Sequence, residues 1–106
     1  EPNQSDIEKA KLLNVNCIEI HTGRFCNLVN KNKSFKSELN RIKKAVRLGN
    51  KIGLEVHAGH GLTYKSAGIL SKVKGIKEFN IGHFLIGESI FVGLSNSIKQ
   101  FKKIIK

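Results

Sequence analysis

Leu54-Glu55-Val56-His57-Ala58-Gly59-His60-Gly61 is the stretch on which the reading of this chain turns. Leu54 and Val56 fall on one face, and Glu55, His57 and Gly59 on the other. A two-residue period marks a strand with one apolar and one polar face. Gly59-His60-Gly61 then stops it, because glycines permit the backbone to leave extended geometry. A strand needs partners, so its neighbours in the sequence decide which kind of sheet it joins.

On its N-terminal side the spacing predicts a helix over 34–51. Phe35, Leu39, Ile42, Ala45, Val46 and Leu48 form its apolar stripe, and Gly49 and Gly53 are read as its end. Further upstream, Val15-Asn16-Cys17-Ile18-Glu19-Ile20-His21 reads as a second strand, broken by Thr22-Gly23 and followed by a loop over 24–33. A helix over 5–13 comes before it, with Ser5 as cap and Asp6 and Glu8 in the first turn. On the C-terminal side, a helix starts near Thr63 and covers Ile69, Leu70 and Val73. A third strand, Glu78-Phe79-Asn80-Ile81, is stopped by Gly82-His83, and helices over 84–92 and 94–105 finish the chain. The order α-β-α-β-α-β-α-α implies an α/β protein with a parallel sheet. Three strands cannot close on themselves, and an open sheet of three leaves two bare edges. A closed (β/α)₈ barrel takes eight strands and roughly 250 residues. The 106 residues are therefore expected to be part of a longer chain. No repeat beyond the βα period and no low-complexity linker interrupts them.

Composition narrows the function classes. At 40% hydrophobic the chain can build a core, and no stretch approaches the ~18 apolar residues of a membrane span. Glu1-Pro2-Asn3-Gln4 carries neither a basic segment nor an apolar run, so no secretion signal is expected. Cys17 and Cys26 lack CxxC spacing, and free thiols point to a reducing, cytoplasmic compartment. The net charge of +11 admits a polyanion partner such as nucleic acid. Most basic residues nevertheless fall on helix-like segments (Lys33, Lys36, Arg41, Lys43, Lys44, Arg47 and Lys51, then Lys99, Lys102, Lys103 and Lys106), with few aromatics among them for stacking. Solvated helix faces are the favoured reading, and neither a nucleic-acid nor a membrane partner is expected.

The chemistry lies on the polar faces of the strands. Cys17, Glu19 and His21 share one face of the first strand; Glu55, His57 and Gly59 share one face of the second; Asn80 and Gly82 share one face of the third. Each strand ends in a glycine-bearing turn. Loops at strand C-termini form the ligand pockets of α/β enzymes. A carboxylate and imidazoles converging there suit general acid–base work. Glycines at 59, 61 and 82 let backbone amides approach an anion, and a helix start just after Gly82-His83 adds the positive end of a dipole. Each residue also has a bland alternative. Glu19 fits a lysine-paired structural carboxylate, although an inward carboxylate is costly enough to favour a catalytic role. His60 fits a simple turn residue. His57 fits a hydrogen-bonded core group as well as it fits the site, and His21 fits either a substrate contact or a contact with Thr22 and its loop. The four histidines lack HxxxH spacing, so no metal site is expected.

Ile18-Glu19-Ile20-His21-Thr22-Gly23, Ala58-Gly59-His60-Gly61-Leu62-Thr63-Tyr64 and Asn80-Ile81-Gly82-His83 together resemble the signature stretches of the pyridoxine 5′-phosphate synthase family, in order and in separation. The likeness covers nearly the whole chain and corresponds to that family's C-terminal half. It implies strands six to eight of a TIM (β/α)₈ barrel, with residues 1–106 as the C-terminal half of one domain and the N-terminal half absent from this sequence. It implies an enzyme that condenses 3-amino-2-oxopropyl phosphate with 1-deoxy-D-xylulose 5-phosphate, releasing inorganic phosphate and water. It implies no metal or organic cofactor, a homo-octamer, His60 as proton donor and Glu19 as stabiliser of the transition state. Gly61, Gly82 and His83 are implied to bind the amino-ketone phosphate. The chain departs from the family pattern at His57, where Asn is usual, and at Phe25-Cys26, where Tyr-Ala is common. Residues of the family's N-terminal half are needed for turnover, so this segment alone is expected to be inactive. The alternatives are another phosphate-binding barrel synthase, such as a thiazole- or indole-forming one, and a basic nucleic-acid-binding module.

Overall fold

The computed structural model describes residues 2–105, and only the backbone of His83 and Ser89. Its elements run α1 (Gln4–Leu12), β1 (Cys17–His21), α2 (Gly23–Asn30), α3 (Lys36–Lys51), β2 (Glu55–Gly59), α4 (Tyr64–Leu70), β3 (Ile76–Asn80), α5 (His83–Val92) and α6 (Leu94–Ile105). The three strands form one parallel sheet in the order β1-β2-β3. This is the α/β arrangement that the alternation predicts, with one helix more than expected.

The additional helix is α2, which occupies most of the stretch expected to be a loop. Phe25, Cys26 and Val29 lie one and three residues apart, a short helical stripe, and all three are buried. Gly23 reads as a breaker in the sequence but serves as the first helical residue. Two other boundaries also move. Asn3, not Ser5, caps α1: its Oδ1 accepts from the Asp6 amide at 2.9 Å. Gly49 does not end α3, which continues through it to Lys51. It is buried against the sheet, where an added Cβ would come 2.7 Å from Val56 Cγ2. The terminator is Gly53, whose φ of +88° follows the last turn. Thr63 caps α4 in a reciprocal pair with Ser66, whose hydroxyl accepts from the Thr63 amide at 2.8 Å.

In register, Glu19 lies opposite His57 and His21 opposite Gly59 on one side of β2; Glu78 and Asn80 lie opposite the same two residues on the other. A bulge at Val56/His57 inserts an extra residue into β3. That explains why its half-buried residues are Ile76 and Phe79, three apart, rather than a strict alternation. The bulge restores phase, so Glu78 and Asn80 emerge on the same face as Glu19 and His21.

The two faces of the sheet differ sharply. Ile20 and Val56 point into a core shared with Phe25 and Val29 of α2, Ile42 and Val46 of α3 and Leu70 of α4. Each such side chain removed from water contributes about 1.5–3 kcal/mol. On the opposite face Glu19, His21, Glu55, Glu78 and Asn80 are exposed. The lysines of α3 and α6 are exposed as well, on the outer surfaces of those helices. α5 and α6 are anchored to α4 by an aromatic cluster. Tyr64 packs against Phe84 and Phe101 with ring centroids 5.0 and 4.6 Å away, and its hydroxyl pairs with Ser97 Oγ at 3.1 Å. Among the described residues no helix is long and apolar enough to cross a membrane.

Candidate active site

Two turns at the C-terminal ends of β1 and β2 are locked together residue by residue. Thr22, fully buried, donates one backbone bond and makes two side-chain bonds across the gap. Its amide donates to the Gly59 carbonyl at 2.8 Å, and its hydroxyl is shared between the carbonyls of Gly59 and His60, each at 2.9 Å. His21 lays its ring on the ring of His60, with centroids 4.2 Å apart and planes 26° from parallel. Gly23 makes room for this stack: a Cβ there would come 2.6 Å from His21 Cε1 and 2.9 Å from His60 Cδ2.

His60 itself sits at φ +86°, a conformation that costs a non-glycine residue of order 1–3 kcal/mol. The Thr22 bonds to the Gly59 and His60 carbonyls, which flank the His60 Cα, help offset that strain. Gly61 follows at φ +79°, and a side chain there would press on Cys26 Cβ at 3.2 Å. Burial pushes the Cys26 thiol above its ordinary pKa, partly countered by hydrogen bonds with Ser66 and Thr22. Cys26 is therefore an apolar floor beneath the turn at neutral pH.

The carboxylate of Glu19 lies across β2. It passes over Gly59, where an added Cβ would overlap Oε1, and its Oε2 accepts from Asn80 Nδ2 at 3.1 Å. One row of side chains thus spans the sheet from β1 to β3. Asn80 also lines a cavity of about 460 Å³ with His60, Gly61, Leu62, Gly82 and Phe84. Gly82 precedes α5, and its carbonyl accepts from the Ile86 amide at 3.0 Å, so the positive end of that helix opens at the cavity wall. The structure therefore brings Glu19, His60, Gly61 and Gly82 to one rim, joined through Gly59 and Asn80. The side chain of His83 lies outside the described residues; its backbone begins α5.

His57 stands one row deeper. Its Nε2 pairs with Glu55 Oε2 at 2.6 Å and approaches Glu78 Oε2 at 3.9 Å, while its side chain is only 14% exposed. Both carboxylates come from the strand face that it shares, which is the hydrogen-bonded reading of this residue. The sequence reading missed two contributors, Asn80 as the partner of Glu19 and Thr22 as the clamp. Asn80 was legible as a polar group on the correct face, and only the register showed what it meets. Thr22 was hidden because a threonine beside a glycine reads simply as a turn.

A carboxylate held by one amide, an imidazole in the turn that ends the neighbouring strand, and glycine-bordered space next to a helix start suit proton transfer on an anionic substrate. Residues 1–106 match the family model described as "Pyridoxal phosphate biosynthesis protein PdxJ". The chain belongs to this family. It is 58% identical over 104 residues to the pyridoxine 5′-phosphate synthase of Pelagibacter ubique, an alignment that covers 98% of this chain and 44% of that protein. It is 47% identical to the protein of the same name from Zymomonas mobilis, covering 99% of this chain and 40% of the relative. With the synthase of a Sulfurihydrogenibium species the identity is 42%, over 99% of this chain and 42% of the relative. The chain spans less than half the length of these curated relatives.

Proposed function

We propose that residues 1–106 are the C-terminal half of a single TIM (β/α)₈-barrel domain, contributing strands six to eight to a pyridoxine 5′-phosphate synthase. The reaction is condensation of 3-amino-2-oxopropyl phosphate with 1-deoxy-D-xylulose 5-phosphate to give pyridoxine 5′-phosphate, inorganic phosphate and water. Family membership supports the activity, because the relatives that match bear that name. The sheet supports the barrel: one face is covered by helices, the polar face is open, and β1 and β3 each pair on one side only among the described residues.

In this reading His60 is the proton donor and Glu19 stabilises charge that develops in the transition state. Gly61, Gly82 and His83 hold the phosphate of the amino-ketone. No metal or organic cofactor takes part. The assembly is a cytoplasmic homo-octamer, and the remaining catalytic groups come from the N-terminal half. The observation that carries the reading is the shared rim, where Glu19 lies over Gly59, the residue before the strained His60, and is held by Asn80 of a cavity that His60, Gly61 and Gly82 also line.

The test is turnover of the two phosphorylated substrates by the intact protein that contains this chain. His60→Asn and Glu19→Gln each remove a proton-handling group with little change in shape. Losses on the order of 10²-fold or more, with the fold preserved by circular dichroism, are expected. Undiminished product formation by His60→Asn would exclude it as the acid.

A further inference from the structure

We propose that His21 is a positioning residue for His60, holding the imidazole of the proton donor at the angle required for transfer. The inference rests on the reading of His60 given above and extends it to a residue outside the matched site. Three observations carry it. The rings stack with centroids 4.2 Å apart and planes 26° from parallel. The Gly23 amide donates to His21 Nδ1 at 3.3 Å, which makes Nδ1 the unprotonated nitrogen and leaves the ring proton on Nε2. Gly23 also lacks the Cβ that would collide with both rings, so this close approach requires the glycine that follows Thr22.

The need for such a support follows from the position of His60. It is exposed, it sits in a turn with φ +86°, and Gly61 beside it offers no side chain to brace it. Its backbone is fixed by Thr22, but a fixed backbone leaves an imidazole free to turn about two side-chain bonds. Stacking on a neighbour removes that freedom. The neighbour is itself fixed by a backbone amide and sits on the strand that carries Glu19, so acid and carboxylate take their alignment from the same element. Misplacing a catalytic group by about 1 Å can cost 10²-fold in rate.

The experiment compares His21→Ala, His21→Phe and His60→Asn in the intact protein, reading kcat and KM separately. His21→Ala is expected to lower kcat by roughly ten- to a hundredfold with KM changed less than about twofold. His21→Phe keeps a flat ring against His60 and is expected to restore most of kcat. An unchanged kcat in His21→Ala, beside an inactive His60→Asn, would overturn the positioning role and leave the proton donor in place. A raised KM that phenylalanine does not relieve would overturn it too, by making His21 a substrate contact. Full turnover by His60→Asn would overturn the proton-donor reading and the positioning role with it. Proton NMR of the His60 ring supplies a readout without turnover. The upfield ring-current shift should persist in His21→Phe and vanish in His21→Ala; an identical His60 signal in the unsubstituted protein, His21→Phe and His21→Ala would refute the stack.

Discussion

Cys26 shows how far one side chain's surroundings can be read as chemistry. It is 1% exposed beneath the turn that carries His60 and Gly61. Burial disfavours the thiolate, so the folded pKa lies above the unfolded one despite the hydrogen bonds with Ser66 and Thr22. The neutral thiol's contribution to stability is complete below the unfolded pKa and is lost as pH rises through the folded value. Urea midpoints measured from neutral pH upward, past the ordinary thiol value of 9.0, should therefore fall. Cys26→Ala should show a shallower alkaline decline from a lower starting point, since it trades an ionisable group for a small cavity. Equal slopes in the two proteins would mean that Cys26 does not titrate against the fold. The sequence showed only a lone cysteine without CxxC spacing, at a position where the family resemblance implies alanine. Its packing against Gly61 belongs to the tertiary structure.

Among the elements, α3 carries the sharpest prediction. Gly49 lies in its interior, where alanine is intrinsically better by about 1 kcal/mol. The site opposes that gain, because a methyl group would press on the fully buried Val56 at 2.7 Å and overpacking costs about 1–3 kcal/mol. Val56 is β-branched and enclosed, so it has little room to yield. Gly49→Ala is thus expected to be destabilising by about 1 kcal/mol in a denaturant titration, against the direction given by helix propensity. A stabilised variant would show that the helix can move away from β2. This glycine also marks the limit of reading elements from sequence. β1 and β2 were legible because apolar and polar residues alternate strictly, and the α3 stripe of Ile42, Ala45 and Val46 was legible because its period is helical. α2 was not, since Gly23, Asn27 and Asn30 look like loop residues and the helix has no side-chain cap. β3 was only half legible: its bulge breaks the alternation, so the strand begins at Ile76, two residues earlier than expected. The candidate site followed the same division, with Glu19 and His60 readable from their strand ends and the Asn80 and Thr22 contacts hidden in the register.

For the whole molecule, the surfaces that remain open govern behaviour in isolation. β1 and β3 each present one unpaired edge among the described residues, and Ile86, Ile90, Phe91 and Leu94 of α5 and α6 are exposed. Unpaired edges recruit other strands, and apolar surface of this kind favours association. Residues 1–106 produced alone are expected to associate with rising concentration in sedimentation experiments. A stable monomer across the accessible range would argue that the sheet needs no further strands. The same openness accounts for the polar face: Glu19, His57, Glu78 and Asn80 would be costly in a closed core unless hydrogen-bonded to one another or to a ligand, and several of them already are.

The Thr22 hydroxyl bridges residues 37 and 38 positions away in the chain. Closing a segment of that length costs entropy before any bond repays it, and the segment contains α2, α3 and β2. His60 therefore cannot settle into its left-handed backbone until those elements have condensed around it. Its twisted conformation is expected to be a late product of folding, set only on a scaffold that is already finished.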